Sequence, residues 1–188
     1  MTGDYVTAVD HKAAKPVFDV ESSQLLQVVN TLNNGKDMAG NELKGATEMF
    51  PGATVTPEAK PIEPQLMKFR KKVKAGARFF QTQAIYDIEN FKGFMKEARK
   101  HNVKILAGIL VLKSAGMATF LNNNVPGITV PQNLIDELKA AGKEKALDTG
   151  LNIAARTIKA VRDLCDGVHI MAIGMEDKVP EIIKRAGL

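Results

Sequence analysis

The feature that most constrains the fold is a regular alternation of strand-like and helix-like segments from about residue 47 onward. Val103–Leu110 is a nearly continuous apolar run, which is typical of a parallel strand buried on both faces. Arg78–Gln83 and Gly167–Ile173 are two further strand-like runs, and a shorter one lies near residues 47–53. A helix-like segment follows each of them. This order predicts a parallel sheet with right-handed crossovers in a single α/β domain over residues 1–188.

The helix-like segments carry apolar residues three and four positions apart, with caps or glycines at several ends. We predict a first helix that Asp19 caps and that runs to Asn33, with Leu25, Val28 or Val29, and Leu32 on its apolar face. Three further predicted helices have a defined apolar face: 64–75 with Leu66, Phe69 and Val73 inward, one that begins after Asp87 with Ile88, Phe91, Met95 and Ala98 inward, and a long one that ends near residue 164 with Leu151, Ala154, Ile158 and Val161 inward. The remaining predicted helices are 114–122, one that begins at Gln132, and 179–186.

The chain opens on Met1-Thr2-Gly3-Asp4, which resembles the end of a strand followed by an acidic loop. No apolar strand precedes it, so we count four strand–helix units and the tail of a fifth. A complete (β/α)8 barrel typically has about 250 residues, and this chain has 188. We therefore expect a TIM-barrel-type fold of which the chain holds the C-terminal half to five-eighths. The open strand edges of a partial barrel predict a homo-oligomer or a complementary N-terminal half.

The composition is that of an ordinary soluble protein, with 45% hydrophobic and 25% charged residues. A net charge of +5 weakly favours anionic small molecules over nucleic acid, although a basic stretch such as residues 70–74 is more often simply solvated. The one cysteine, Cys165, excludes an intramolecular disulfide and fits a reducing compartment. No apolar run is long enough for a membrane span. We expect a cytoplasmic protein.

Polar residues at strand ends are the candidates for chemistry, because parallel barrels place their sites at the C-terminal ends of the strands. Asp4 and Gln83 occupy such positions. A carboxylate and an amide suit a heterocycle that offers both donors and acceptors, although an aspartate after glycine is more often a cap or turn residue. Nucleophile-elbow, P-loop and zinc-protease motifs are missing, and the histidines are too scattered for a metal cluster. His169 is interpreted as a satisfied core histidine.

Several motifs occur in one order along the chain: Lys15-Pro16-Val17-Phe18-Asp19, Ala39-Gly40-Asn41-Glu42-Leu43, Ala75-Gly76-Ala77 leading into Gln81-Thr82-Gln83, Ala107-Gly108-Ile109-Leu110 and Gly167-Val168-His169-Ile170-Met171-Ala172. Together they resemble methylenetetrahydrofolate reductase, the flavin-dependent barrel enzyme of one-carbon metabolism. The resemblance covers the C-terminal part of the family's catalytic domain.

The resemblance implies a role for each matching position. Asp4 matches the aspartate near the flavin that helps to bind the pterin of folate, and Gln83 matches the glutamine that contacts substrate and flavin. The helix that reaches the ribityl and phosphate parts of FAD matches Gln65, Lys68, Lys71 and Lys72.

The implied reaction is hydride transfer from NAD(P)H to FAD and from the flavin to 5,10-methylenetetrahydrofolate, giving 5-methyltetrahydrofolate. Gly52 and Thr56 depart from the family, which carries an aromatic residue and a histidine there. The family's general-acid glutamate belongs to the first strands, which we do not find in this chain. Two other readings therefore stay open: a non-catalytic fragment or one half of a split barrel, and an unrelated barrel protein that binds anionic small molecules.

Overall fold

A computed structural model describes Val17 and residues 19–188 of the chain. Asp4 and the other residues before Val17 lie outside the described part. Within the described part, four strands, β1 to β4, span Gly52–Val55, Phe79–Ala84, Lys104–Leu110 and Gly167–Met171. The same residues form six helices, α1 to α6, which span Ser22–Asn33, Glu63–Lys74, Ile88–Ala98, Ala115–Asn124, Gln132–Val161 and Val179–Ala186. A short 3₁₀ turn at Glu176–Lys178 precedes α6.

The four strands form one parallel sheet in the order β1-β2-β3-β4. The predicted parallel α/β architecture is therefore confirmed, including the pairing of β2 with β3. The sheet, with helices after each strand, is that of a partial TIM-barrel-type fold. Among the described residues, β1 and β4 each have a neighbouring strand on one side only. The self-association expected from such edges stays a prediction.

The first strand begins later than predicted, at Gly52 instead of residue 47. The reason is Asn33 at the end of α1, because its side chain binds the residues just before β1. Its amide oxygen accepts hydrogen bonds from the hydroxyl of Thr47 (2.6 Å) and the backbone N–H of Met49 (3.0 Å), and its amide nitrogen donates to the carbonyl of Met49 (2.8 Å). These bonds hold residues 47–49 beside the helix and outside the sheet.

The first helix also differs from the prediction, since Glu21 and not Asp19 is its N-terminal cap. The backbone N–H of Glu21 donates to the side chain of Gln24 (2.8 Å), and the Glu21 carboxylate accepts from the Gln24 backbone, which completes a capping box. The predicted apolar face omitted Leu26, the apolar residue that α1 buries. The predicted residues Leu25, Val28, Val29 and Leu32 are half-buried.

Most of the predicted inward residues pack in one core between the sheet and α2, α3, α6 and the second half of α5. Phe69 of α2 is at its centre, with ring centroids 4.6 Å from Phe80 of β2 and 5.4 Å from Phe94 of α3. The buried residues that periodicity had placed here are Phe69, Phe91, Met95, Ala98, Leu151, Ala154, Ile158 and Val161. This core fixes the sheet against its outer helices.

A second core lies over the C-terminal ends of the strands and is built from α4 and the first half of α5. Ser114 caps α4 by accepting a hydrogen bond from the Met117 N–H (3.1 Å). Gly142, with φ of 69°, breaks α5 into two helical halves, as the two predicted helices in this region require. The second core therefore encloses one side of the strand ends, where the candidate site lies.

One surface ion-pair cluster makes stability depend on pH. Glu97 of α3 accepts from Arg70 and Lys100, each at 2.7 Å, and the bond from Arg70 is the main reason why the pKa of Glu97 falls to about 2. A carboxyl whose pKa is lower in the folded state stabilises the fold above its ordinary pKa of 4.5, and this contribution is lost as pH falls towards 2.

We expect Glu97→Gln to lower the urea midpoint at pH 7 and to flatten its decline between about pH 4.5 and 2. Glu89→Gln is the matched control, since the Glu89 side chain is 81% exposed and its partner among the described residues is Lys92 on the same helix. An equal change of acid sensitivity in both variants would contradict the assignment.

Candidate functional site

The C-terminal ends of β1, β2 and β3 lie side by side and bring three loops together. Val55 at the end of β1 is opposite Thr82 of β2, and Ala84 of β2 is opposite Gly108 of β3. Because the strands are parallel, the segments that follow them leave the sheet at the same edge. Gln83 lies at this edge, as the sequence predicted.

The structure places Gln83 in a β-bulge, a feature that sequence periodicity did not predict. The pairing of β2 with β3 shifts between Gln81 and Ala84. The hydroxyl of Thr82 accepts a hydrogen bond from the backbone N–H of Gly108 (2.8 Å) and donates to the carbonyl of Gln83 (2.7 Å). The Thr82 side chain thus replaces a backbone partner at the point where the strand bends.

Gly108 makes this bulge possible, because a Cβ there would lie 2.4 Å from the carbonyl oxygen of Thr82 and 2.7 Å from that of Gln83. The backbones of the two strands approach too closely for any side chain. The bulge and the glycine together determine the position of Gln83.

The amide of Gln83 is half-buried, and it forms no hydrogen bond with a residue in the described part of the chain. A half-buried amide with both a donor and an acceptor free is suited to a polar ligand. This is the property that the sequence analysis required of a residue at this position.

Glu58 is a further residue of the site that the sequence analysis missed. It lies in the loop after β1 and is 6% exposed. Its carboxylate oxygen Oε1 accepts hydrogen bonds from the backbone N–H groups of Tyr86 and Asp87, both at 2.6 Å. Burial raises the pKa of Glu58. The glutamate therefore ties the β1 loop to the segment that follows Gln83, and a carboxylate in an otherwise apolar Pro-Glu-Ala stretch was the available signal.

Tyr86 and Asp87 complete the connection around the strand ends. The Tyr86 hydroxyl donates to the carbonyl of Leu110 at the end of β3 (3.3 Å), and burial raises the pKa of Tyr86. Asp87 caps α3 as predicted, accepting from the backbone N–H of Asn90 (3.0 Å). The loops after β1 and β2 and the end of β3 are thus joined by hydrogen bonds.

The helix α2 carries the predicted cofactor-binding residues beside the open edge of β1. Lys72 is half-buried and its ammonium donates to the carbonyl of Thr54 (2.8 Å). Burial, and then the neighbouring charge of Lys68, lower the pKa of Lys72. Lys71 forms an ion pair with Glu21 (2.6 Å), and Gln65 is half-buried one turn before Lys68. Three lysines and one glutamate thus lie on this surface, so its net charge is positive.

One of the two departures from the expected pattern, Gly52, has a local explanation, whereas nothing in the structure explains Thr56. The ring of Phe79 lies across Gly52, where an added Cβ would be 2.2 Å from it, and Phe79 also stacks on Phe50 (5.6 Å between centroids). An aromatic side chain on residue 52 would therefore collide with Phe79. His169 is half-buried and forms no hydrogen bond with a described residue, so its interpretation as a satisfied core histidine stays a prediction. Burial lowers its pKa.

Two features are absent from the described residues. No three histidine, cysteine, aspartate or glutamate side chains come together there as a possible metal centre. In the same part of the chain, no helix is long and apolar enough to cross a lipid bilayer.

Comparisons with known proteins agree on one family. Methylenetetrahydrofolate reductase 2 of Schizosaccharomyces pombe is 30% identical over 130 residues, which cover 63% of this chain and 20% of that protein. Methylenetetrahydrofolate reductase 1 of the same yeast is 26% identical, covering 68% of this chain and 22% of that protein. A probable methylenetetrahydrofolate reductase (NADPH) of Caenorhabditis elegans is 24% identical, with 70% and 21% covered. The chain spans about a fifth of the length of these relatives.

Among solved structures, a protein from Clostridium thermocellum that binds two copies of 5-methyl-5,6,7,8-tetrahydrofolic acid has a TM-score of 0.47 and 18% identity, over 72% of this chain and 51% of that one. The family profile described as methylenetetrahydrofolate reductase matches residues 1–187. On this match, which extends over nearly the whole sequence, the chain belongs to the methylenetetrahydrofolate reductase family.

Proposed function

We propose that this chain provides the folate-binding and part of the FAD-binding surface of a cytoplasmic methylenetetrahydrofolate reductase. The observation that carries the proposal is Gln83, a half-buried amide without a partner in the described residues, at the C-terminal edge of a parallel sheet. A pterin ring offers donors and acceptors in one plane, which an amide can match with both of its polar atoms. Membership of the family supplies the substrate class.

The α2 surface fits the phosphates of FAD. Lys68 and Lys72 repel each other, and the acidic residue beside them, Glu21, already pairs with Lys71. An anion placed there would relieve the repulsion and gain charge-assisted hydrogen bonds. Gln65, on the same helix, could add a neutral hydrogen bond. Positive charge and N–H donors are what a phosphate group requires, and Lys72 places them next to the C-terminal end of β1.

The residues of the candidate site then have separate roles. FAD held there would supply the hydride chemistry, carrying a hydride from NAD(P)H to the methylene carbon of 5,10-methylenetetrahydrofolate, whose bond to N10 breaks with uptake of a proton to give 5-methyltetrahydrofolate. Gln83 orients the pterin, Lys68 and Lys72 hold the phosphates, and Glu58 keeps the loop behind Gln83 in place. Asp4, which lies outside the described residues, is proposed to share the pterin with Gln83.

A second candidate function is favoured by the sheet edges. Within the described residues, β1 and β4 each lack a second neighbour, and Met49 and Phe50 beside β1 are 40% and 66% exposed. Unpaired edges with adjacent apolar surface favour association. The chain would then be one half of a two-chain barrel, completed by an N-terminal half or by a second copy. Co-purification of a yellow complex with a polypeptide that supplies further strands would support this alternative, and light scattering that shows a monomer with cooperative melting would contradict it.

The test of the proposed function is Gln83→Ala, made in this chain together with a polypeptide that completes the barrel. We expect the affinity for 5-methyltetrahydrofolate to fall by about 1–3 kcal/mol, the usual effect of removing one polar partner from a buried group. FAD should remain bound. Isothermal titration with folate and the flavin absorbance measure the two effects separately.

Gln81→Ala is the matched control, because Gln81 is a half-buried glutamine two residues earlier in the same strand. It should leave folate affinity unchanged. Equal loss of FAD and folate in Gln83→Ala would indicate a general structural defect and contradict the proposed contact.

A further inference from the structure

The turn after β4 contains an unusual backbone conformation. Ile173 has a φ of 48°, and among the described residues it is the one non-glycine residue with a positive φ. A β-branched side chain is strained in this left-handed region. Gly174 follows with a φ of 78°, which costs a glycine little. The strain therefore resides at Ile173, at the same edge of the sheet as Gln83.

The side chain of Ile173 does not repay this strain by packing in a core, since the residue is 54% exposed. Glycine or asparagine would form the same turn with less strain. Strained residues persist where the surrounding structure holds them, and they cluster at ligand sites. Stability alone thus gives no reason for an isoleucine at this position.

Lys113 holds the turn from the neighbouring strand. It lies three residues beyond the end of β3, and its ammonium donates a hydrogen bond to the carbonyl of Ile173. No described carboxylate lies within 4.0 Å of this ammonium. On the other side, the backbone N–H of Gly174 donates to Glu176 (3.0 Å). The carbonyl and the following N–H are therefore both bound, which holds the peptide plane after Ile173.

We propose that Lys113 is a positioning residue that holds the strained turn, so that Ile173 forms an apolar wall for the planar ring system of the ligand. This inference rests on the proposed function, because it takes folate as the ligand. Ile173 follows β4 and Gln83 lies in β2, on either side of β3 at the same edge of the sheet. An exposed apolar side chain and an amide without a partner in the described residues, at one edge of the sheet, have the composition of a ligand cleft. Lys113 acts through Ile173 and is not itself a contact with the ring.

The test is a double-mutant cycle with Ile173→Asn and Lys113→Met, made in the same completed barrel. Asparagine tolerates the left-handed region, so Ile173→Asn should melt at a higher temperature than the wild type. It should also bind 5-methyltetrahydrofolate about tenfold more weakly, since the apolar contact is lost. Ile173→Leu, which keeps an apolar wall, should bind nearly as tightly as the wild type.

Lys113→Met should weaken folate binding by about tenfold as well, and Lys113→Arg should restore it. In the Ile173→Asn background, Lys113→Met should have little further effect, because there is neither a strained turn nor a wall to position. Met67→Gln is the control for an exposed apolar residue elsewhere, 67% exposed on α2, and should change neither property.

Three results would each overturn the inference: an Ile173→Asn variant that melts no higher than the wild type, unchanged folate affinity in that variant, or a full effect of Lys113→Met in its background. Absence of folate binding by the wild-type complex would instead refute the proposed function and, with it, the wall for folate. The melting temperatures would still show whether Ile173 stores strain.

Discussion

Gly150→Ala is expected to lower the free energy of unfolding by about 3 kcal/mol, the upper part of the range for overpacking a core. Alanine normally stabilises the interior of a helix relative to glycine by about 0.5–1 kcal/mol. Here a steric contact makes the substitution destabilising, because a Cβ on Gly150 of α5 would lie 1.8 Å from the carbonyl oxygen of Leu112. Leu112 is fully buried, so neither backbone can move aside without disturbing the core.

Gly93→Ala is the matched control for this prediction. Gly93 is also inside a helix, α3, but it is exposed and a Cβ there would meet no atom within 4 Å. We expect this variant to be more stable by about 0.5–1 kcal/mol. Urea unfolding of both variants measures the difference. If Gly150→Ala were as stable as Gly93→Ala, the close approach of α5 to the end of β3 would be wrong.

The contact at Gly150 also affects the candidate site. Leu112 immediately precedes Lys113, so a displaced α5 would move the residue that binds the turn at Ile173. Gly150→Ala should therefore weaken folate binding by the completed barrel, although Gly150 is in a helix and not at a strand end.

Glu58→Ala is expected to destabilise the chain by about 3 kcal/mol, because it removes a buried charged acceptor from two backbone N–H groups. Both N–H groups belong to the segment after β2, so the loss falls on the loop behind Gln83. Glu58→Gln keeps an acceptor oxygen at the same position and should cost less. Urea unfolding of the two variants at pH 7 would show the order, and equal losses would mean that the carboxylate oxygen is not the important atom.

The pH dependence of stability distinguishes the effect of the Glu58 charge from the effect of its hydrogen bonds. Burial raises the pKa of Glu58 above its ordinary value of 4.5, so the folded chain takes up a proton more readily than the unfolded chain. The stability that this uptake contributes is present below pH 4.5 and is lost as pH rises through the folded pKa. Glutamine has no such charge to bury. The stability of Glu58→Gln relative to the wild type should therefore improve from pH 4.5 to pH 8, and a relative decline would contradict the assignment.

The amino-acid sequence by itself determined the elements whose causes are local. Phe91, Met95 and Ala98 are buried on α3 as their spacing required, because residues three and four apart share one face of a helix. Asp87 and Ser114 cap the helices that they precede, since a cap binds a backbone group only three residues away. The apolar run before Leu110 became a central parallel strand. The position of Gln83 at a strand end follows from the same order of segments.

The features that only the tertiary structure decided depend on groups far apart along the chain. Asn33 binds Met49, 16 residues away, and so delays the first strand. Glu58 bonds to backbone groups 28 and 29 residues later, and Lys113 binds a carbonyl 60 residues later. Neither hydrophobic periodicity nor a local motif predicts such long-range hydrogen bonds, because they form only after the sheet has brought the strand ends together. The sequence therefore located the edge of the sheet that carries the candidate site, whereas packing across that edge decided which side chains hold it in shape.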